Sequence, residues 1–99
     1  MNIKINSVKF NATSRLETFV NSKVQKLAQF YEGIIGAEVF LRVDNTQTDE
    51  NKITEIKIEI PGSELFAKKQ SKSFEESTDN ACEALRRQIT KHKEKTRRV

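Results

Sequence analysis

Hydrophobic side chains change their spacing along the chain, from alternate positions to helical intervals and back again. Ile3 and Ile5 alternate with polar residues near the start, which is typical of a strand with one buried face. From residue 14 onward the apolar positions follow the helical repeat instead. This pattern predicts a first helix over residues 14–32, with an apolar stripe of Leu16, Phe19, Val20, Val24, Leu27 and Tyr31.

The ends of this first helix carry their own signals. Ser14 and Glu17 have the spacing of a capping box, and Thr13 is a competing N-cap residue. Gly33 and Gly36 follow the last apolar position and predict the end of the helix.

Alternation returns in the middle of the chain and predicts three further strands. These strands are residues 37–44, 55–60 and 65–70. The inward positions of the second and third strands are Val39, Leu41, Val43, Ile56, Ile58 and Ile60. A polar connection over residues 45–51 and a turn at Pro61-Gly62 separate them. Short links predict an antiparallel meander, and the helix between the first two strands permits a parallel pair.

A second helical pattern begins near Ser73, which has the capping-box spacing with Glu76. Its predicted buried stripe consists of Phe74, Thr78, Ala81, Cys82, Leu85 and Ile89. The element order is therefore β-α-β-β-β-α. Because only 35% of the residues are hydrophobic, the core is thin. We predict an α+β fold of two layers, in which both helices pack on one face of a four-stranded mixed sheet.

Length and composition limit the organisation of the chain. Its 99 residues predict a single domain over residues 1–99. No apolar run is long enough for a transmembrane helix, and the first ten residues lack the apolar segment of a secretory signal. Cys82 is the single cysteine, so no intrachain disulfide is possible. We therefore expect a cytoplasmic protein.

Positive charge is concentrated near the C-terminal end. Residues 86–98 contain seven cationic side chains and one anionic side chain, Glu94, so this segment carries +6 if His92 is neutral. The whole chain carries +4, which leaves −2 for all other residues. The seven cations are Arg86, Arg87, Lys91, Lys93, Lys95, Arg97 and Arg98. Such a local field favours a polyanionic partner, of which nucleic acid is the commonest.

Helical spacing puts all seven cations away from the predicted buried stripe. One interpretation is a solvated surface, since cations near a helix C-terminus interact favourably with the helix dipole. That effect reaches only the last turn, whereas pairs such as Arg87/Lys91 repel each other at about 0.2–0.5 kcal/mol. A binding surface explains this cost better. Lys68 and Lys69 either extend the patch or protect a sheet edge.

The sequence offers little for catalysis or metal binding. His92 has no Cys, Asp or Glu at metal-ligand spacing, so we predict no metal site. Cys82 is interpreted as a small buried residue, and a Cys-His nucleophile pair has no evident orienting partner. No carboxylate pair has a catalytic context. The prediction is a protein without enzymatic activity, cofactor or small-molecule substrate.

The basic segment resembles a known motif. Residues 85–95, LRRQITKHKEK, resemble the second helix of the bacterial ribosome hibernation-promoting factors, which are also called ribosome-associated translation inhibitors. That helix typically has leucine, two variable residues, glutamine, a branched apolar residue and a lysine-rich stretch that often contains Lys-His-Lys. Residues 2–33 are similar to the first strand and helix of the family. One departure is Ser73-Phe74-Glu75-Glu76, where the family commonly has an aspartate and a tyrosine.

The resemblance implies a fold like that of the double-stranded-RNA-binding domain. It also implies binding to the small ribosomal subunit and its RNA, in the channel for messenger and transfer RNA, and inhibition of translation in starved or stationary cells. The residues carried over as RNA-binding are Arg86, Arg87, Lys91, Lys93 and Lys95, with Lys68 and Lys69 as weaker transfers. Arg97 and Arg98 lie beyond the motif and are included for their charge. The chain resembles the short members, which lack a dimerising domain.

Two other functions stay open at this point. One is a general module for double-stranded RNA. The other is a module that binds a protein or a membrane surface through the basic helix, although no apolar stripe continues beyond Ile89. We expect no membrane partner, and we expect the free protein to be a monomer.

Overall fold

A computed structural model describes residues 1–45 and 49–97 of the chain. These residues form two layers, a sheet and a helical layer that covers one of its faces. The strands are β1 (Asn2–Val8), β2 (Gly36–Val43), β3 (Lys52–Ile60) and β4 (Ser63–Ser71), and the helices are α1 (Ser14–Gln25) and α2 (Phe74–Arg97). The predicted α+β architecture is confirmed. Residues 46–48 of the predicted polar connection lie outside the described residues.

The strands of the sheet follow one another in chain order. β1 pairs in parallel with β2, and the meander from β2 through β3 to β4 is antiparallel. The parallel pair is possible because α1 carries the chain back across the sheet. Pro61 and Gly62 make the tight turn from β3 to β4, and Gly62 has a φ of 77°, which favours glycine. The sheet is therefore mixed, as the element order predicts.

The first helix is shorter than its apolar pattern predicts. α1 ends at Gln25, and a 3₁₀ turn over Lys26–Gln29 replaces the last predicted helical turns. This tighter turn closes with a hydrogen bond from the Phe30 amide to the Leu27 carbonyl at 3.1 Å. At the other end, Thr13 is the N-cap and accepts from the Leu16 amide at 3.1 Å. The prediction that α1 runs to residue 32 was wrong.

The core lies between the sheet and the helices. β2 and β3 bury Val39, Leu41, Ile56, Ile58 and Ile60, as predicted, but Val43 at the end of β2 is 44% exposed. The error at Val43 arises because this residue lies at the end of its strand, where the pattern continues but the core does not. Phe74 anchors the start of α2, since it is buried and its ring stacks on Phe10 with centroids 5.0 Å apart.

Three buried hydroxyl groups link β3 to α2. The Thr54 hydroxyl oxygen lies 2.6 Å from that of Ser77 and 3.3 Å from that of Thr78. The Ser77 hydroxyl also donates to the Phe74 carbonyl. All three side chains are fully buried, so each hydroxyl depends on these partners for its hydrogen bonds. Removing the Thr54 hydroxyl takes from Thr78 its partner in this cluster and leaves Ser77 with the Phe74 carbonyl, in a site that excludes water.

We predict that Thr54→Val destabilises the protein by about 1–3 kcal/mol, because it removes a hydrogen-bond partner from two buried hydroxyl groups, those of Ser77 and Thr78. The matched control is Thr18→Val, which makes the same chemical change at an exposed position of α1. Denaturant unfolding of both variants measures the difference. Equal stability of the two variants would contradict a structural role for the hydroxyl cluster.

Cys82 lies on the half-buried edge of the α2 stripe. The pKa of its thiol is raised to about 11, mainly by burial and secondly by the Asp79 carboxylate, while Lys23 partly offsets the rise. A thiol with a raised pKa is protonated at neutral pH and is a poor nucleophile. The interpretation of Cys82 as a packing residue agrees with this environment.

Iodoacetamide should therefore modify Cys82 slowly in the native protein. At pH 8 the raised pKa leaves roughly a hundredfold less thiolate than an ordinary cysteine has. Mass spectrometry can follow the labelling with time, with the urea-unfolded protein as control. Native labelling as fast as that of the unfolded protein would show that the thiol is neither buried nor raised in pKa.

Candidate nucleic-acid interface

α2 is the longest helix of the described chain and extends past the layer that it covers. Leu85 and Ile89 are fully buried, and Ile89 is the last buried side chain among the described residues. The helix continues to Arg97, which is about 12 Å of further length at 1.5 Å per residue. Its exposed positions past Ile89 are Thr90, Lys91, Glu94 and Lys95 among those whose side chains the structure describes.

Three of the predicted cations lie on the outward surface of α2. Arg87, Lys91 and Lys95 are exposed. Arg87 lies 3.8 Å from the Glu83 carboxylate, and the exposed side chains of this pair make it a weak interaction. These three side chains can therefore reach a partner without breaking buried contacts.

Arg86 and Lys93 lie on the edge of α2 that faces the end of α1. The Arg86 guanidinium lies over the Phe30 ring, 5.6 Å from its centroid. The Lys93 ammonium donates to the Phe30 carbonyl oxygen. Both cations are thus held against the turn that follows α1, and their orientation depends on that turn.

The turn at residues 30–33 is itself fixed to α2. The Tyr31 and His92 rings pack edge to face with centroids 5.5 Å apart. Gly33 allows the chain to fold back over Tyr31, since a Cβ atom at residue 33 would lie 2.6 Å from the tyrosine ring. His92 therefore packs against the turn. It lies within the predicted basic run but has a structural role.

The structure separates Lys68 and Lys69, which are adjacent in sequence. Successive strand residues face opposite sides of the sheet. Lys68 is on the helix-free face, 3.7 Å from Glu55, which also binds Arg42 at 2.6 Å. Lys69 lies opposite the buried Thr54 and thus on the side of β4 that carries α2. Only Lys69 of this pair shares the side of the basic helix.

Two predicted cations remain. Arg97 belongs to the last turn of α2. Arg98 lies outside the described residues.

The helix-free face of the sheet has no excess of positive charge. Its strand positions carry four cationic and four anionic side chains within the described residues. The cations are Lys4, Arg42, Lys57 and Lys68, and the anions are Glu38, Glu55, Glu59 and Glu64. Phe66 on this face is 53% exposed. Because the charges balance, this face does not attract a polyanion.

Within residues 1–45 and 49–97, no group of three or more His, Cys, Asp or Glu side chains could hold a metal ion. Cys82 and His92 are ten residues apart on one helix, or about 15 Å along its axis. This distance rules out the nucleophile pair that the sequence left open. No helix in the same residues has the length and apolar character needed to cross a bilayer.

Phe30 is the site residue that the sequence interpretation missed. It is 42% exposed and contacts Arg86 and Lys93 of α2. As part of a continuous first helix it would lie next to the apolar stripe. The change from α-helix to a 3₁₀ turn just before Phe30 brings it to the basic edge instead, and no local signal in the sequence marks this change.

Known proteins resemble this chain along nearly its whole length. The chain matches the family described as sigma 54 modulation protein / S30EA ribosomal protein over residues 3–97. A relative from Escherichia coli strain K12, named ribosome hibernation promoting factor, is 30% identical over 95 residues, which are 96% of this chain and 94% of the relative. The protein of that name from Klebsiella oxytoca is 27% identical over 95 residues, which are 96% of this chain and 96% of the relative.

Two solved structures share the fold. A ribosomal subunit interface protein from Coxiella burnetii superposes with a TM-score of 0.83 at 18% identity, over 94% of this chain and 98% of that one. The N-terminal domain of Protein Y from Thermus thermophilus superposes with a TM-score of 0.80 at 22% identity, over 93% of this chain and 99% of that one. With the family match over nearly the whole sequence, the chain belongs to the S30EA ribosomal protein family, in which its curated relatives are ribosome hibernation promoting factors.

Proposed function

We propose that this chain acts as a single ribosome-binding domain, which binds the small ribosomal subunit and inhibits translation during stationary phase or stress. The observation that carries the proposal is the cationic surface on the part of α2 that extends past Ile89. The relatives named ribosome hibernation promoting factor support the choice of the ribosome as partner. The channel for messenger and transfer RNA is the proposed position, and the cytoplasm the proposed compartment.

The proposed mechanism is electrostatic and steric. Exposed side chains such as Arg87, Lys91 and Lys95 would neutralise closely spaced phosphates of ribosomal RNA and release their counterions. RNA helices are recognised mainly through their shape and backbone, so few base contacts are required. The folded domain would then occupy the space that messenger and transfer RNA need. No covalent chemistry is involved in this mechanism.

The two groups of cations have different roles in this proposal. Lys91 and Lys95 are exposed, and their substitution affects the partner more than the fold. Arg86 and Lys93 are held at the Phe30 turn, so that they meet the RNA in a fixed orientation. Lys69 and Arg97 extend the interface in this proposal. Lys68 makes a smaller contribution, since it lies on the opposite face beside Glu55.

We predict that Lys91→Glu combined with Lys95→Glu lowers affinity for isolated small subunits by at least tenfold, because two attractive charges become repulsive. Co-sedimentation at low ionic strength measures this effect. The matched control is Lys4→Glu with Arg15→Glu, which makes the same change in net charge at two exposed positions outside α2. Thermal melting should show that both double variants remain folded.

The control variant should bind small subunits within about twofold of the unmodified protein. An equal loss in both double variants would mean that net charge, not the α2 surface, determines binding. A competition experiment tests the alternative of a general module for double-stranded RNA. If naked duplex RNA displaced the protein from small subunits as effectively as added free small subunits do, this would contradict a ribosome-specific role.

A further inference from the structure

Phe30 is an exposed aromatic residue in the middle of the basic edge of α2. It keeps 42% of its surface exposed even though α2 packs beside it. The Arg86 guanidinium lies over its ring, 5.6 Å from the centroid, and the Lys93 ammonium donates to its carbonyl oxygen. The ring is thus accessible to a ligand and flanked by cations.

A shallow depression adjoins this ring. It has a volume of about 360 Å³ and is lined by Gln29, Phe30, Tyr31, Glu32 and Lys93. Gln29 and Glu32 are exposed, and their side chains supply a hydrogen-bond donor and acceptors at its rim. The floor is fixed, since Tyr31 packs against His92 and against the chain at Gly33. The depression therefore combines a ring, polar rim groups and a cation.

These features fit a nucleobase better than a protein partner. A contiguous apolar patch of several hundred Å² would mark a protein-binding surface, whereas Phe30 is one ring among charged side chains. Unpaired bases of RNA stack on exposed aromatic rings and on arginine guanidinium planes. Phe30 and Arg86 supply one of each, in contact with one another.

We propose that Phe30 and Arg86 form a stacking subsite for one unpaired base of the RNA that lies along α2. This inference rests on the proposed RNA-binding role of that helix. The cations neutralise the phosphates of the bound strand, and the base turned out of the helix stacks on the Phe30–Arg86 pair. Gln29 and Glu32 then lie within reach of the polar edge of the base.

The first test replaces Phe30 and measures binding to isolated small subunits. Phe30→Leu keeps an apolar side chain but removes the ring, and it should weaken binding roughly five- to a hundredfold, the usual effect of losing one stacked base. Phe30→Tyr retains the ring and should bind within about twofold. The control is Phe66→Leu, which removes a ring that is 53% exposed on the charge-balanced face and should leave affinity unchanged.

A second test uses a pair of RNA hairpins. It shows whether Phe30 stacks a base itself or only orients the Arg86 side chain. The stems are identical, but one carries a single unpaired adenosine. The unmodified protein should prefer the hairpin with the unpaired base, and Phe30→Leu should abolish this preference. Equal weakening of both hairpins, or no weakening of small-subunit binding, would overturn the subsite. Absence of small-subunit binding by the unmodified protein would instead count against the proposed function.

Discussion

Burial of one side of α2 against β3 and β4 is the interaction on which the rest of the molecule depends. Leu85 and Ile89 are fully buried there, and each such side chain stabilises the fold by about 1.5–3 kcal/mol. The Thr54 hydroxyl cluster fixes the start of the helix on the sheet. With one side committed to the core in this way, the opposite side of the helix must carry whatever binds a partner.

The placement of the positive charges follows from this packing of α2 on the sheet. The cations are on a rigid helix instead of a loop, so their spacing is set by the helical repeat, and binding does not have to order them first. The turn after α1 adds further order at Phe30, where Arg86 and Lys93 are held. By contrast, the helix-free face balances its charges in pairs such as Arg42 and Glu55. The excess of positive charge thus lies on one surface of the domain.

Much of the fold could be predicted because strand and helix periodicity are local properties. The sheet, both helices and the cationic side of α2 follow from the spacing of apolar residues. The early end of α1 could not be predicted from local spacing. It accompanies contacts between Phe30 and α2 residues about sixty positions away, such as Lys93. Lys68 and Lys69 were grouped by adjacency, although strand alternation assigns them to opposite faces. Phe30 was missed because its position depends on this early end of α1.

The salt dependence of binding shows most clearly whether cations of α2 bind the phosphates of ribosomal RNA. The measurement is the affinity of the unmodified protein for isolated small subunits over a range of monovalent salt concentrations. If about five cations contact phosphates, log affinity should fall against log salt with a slope of roughly −3.5 to −4.5. A slope near zero would contradict the account.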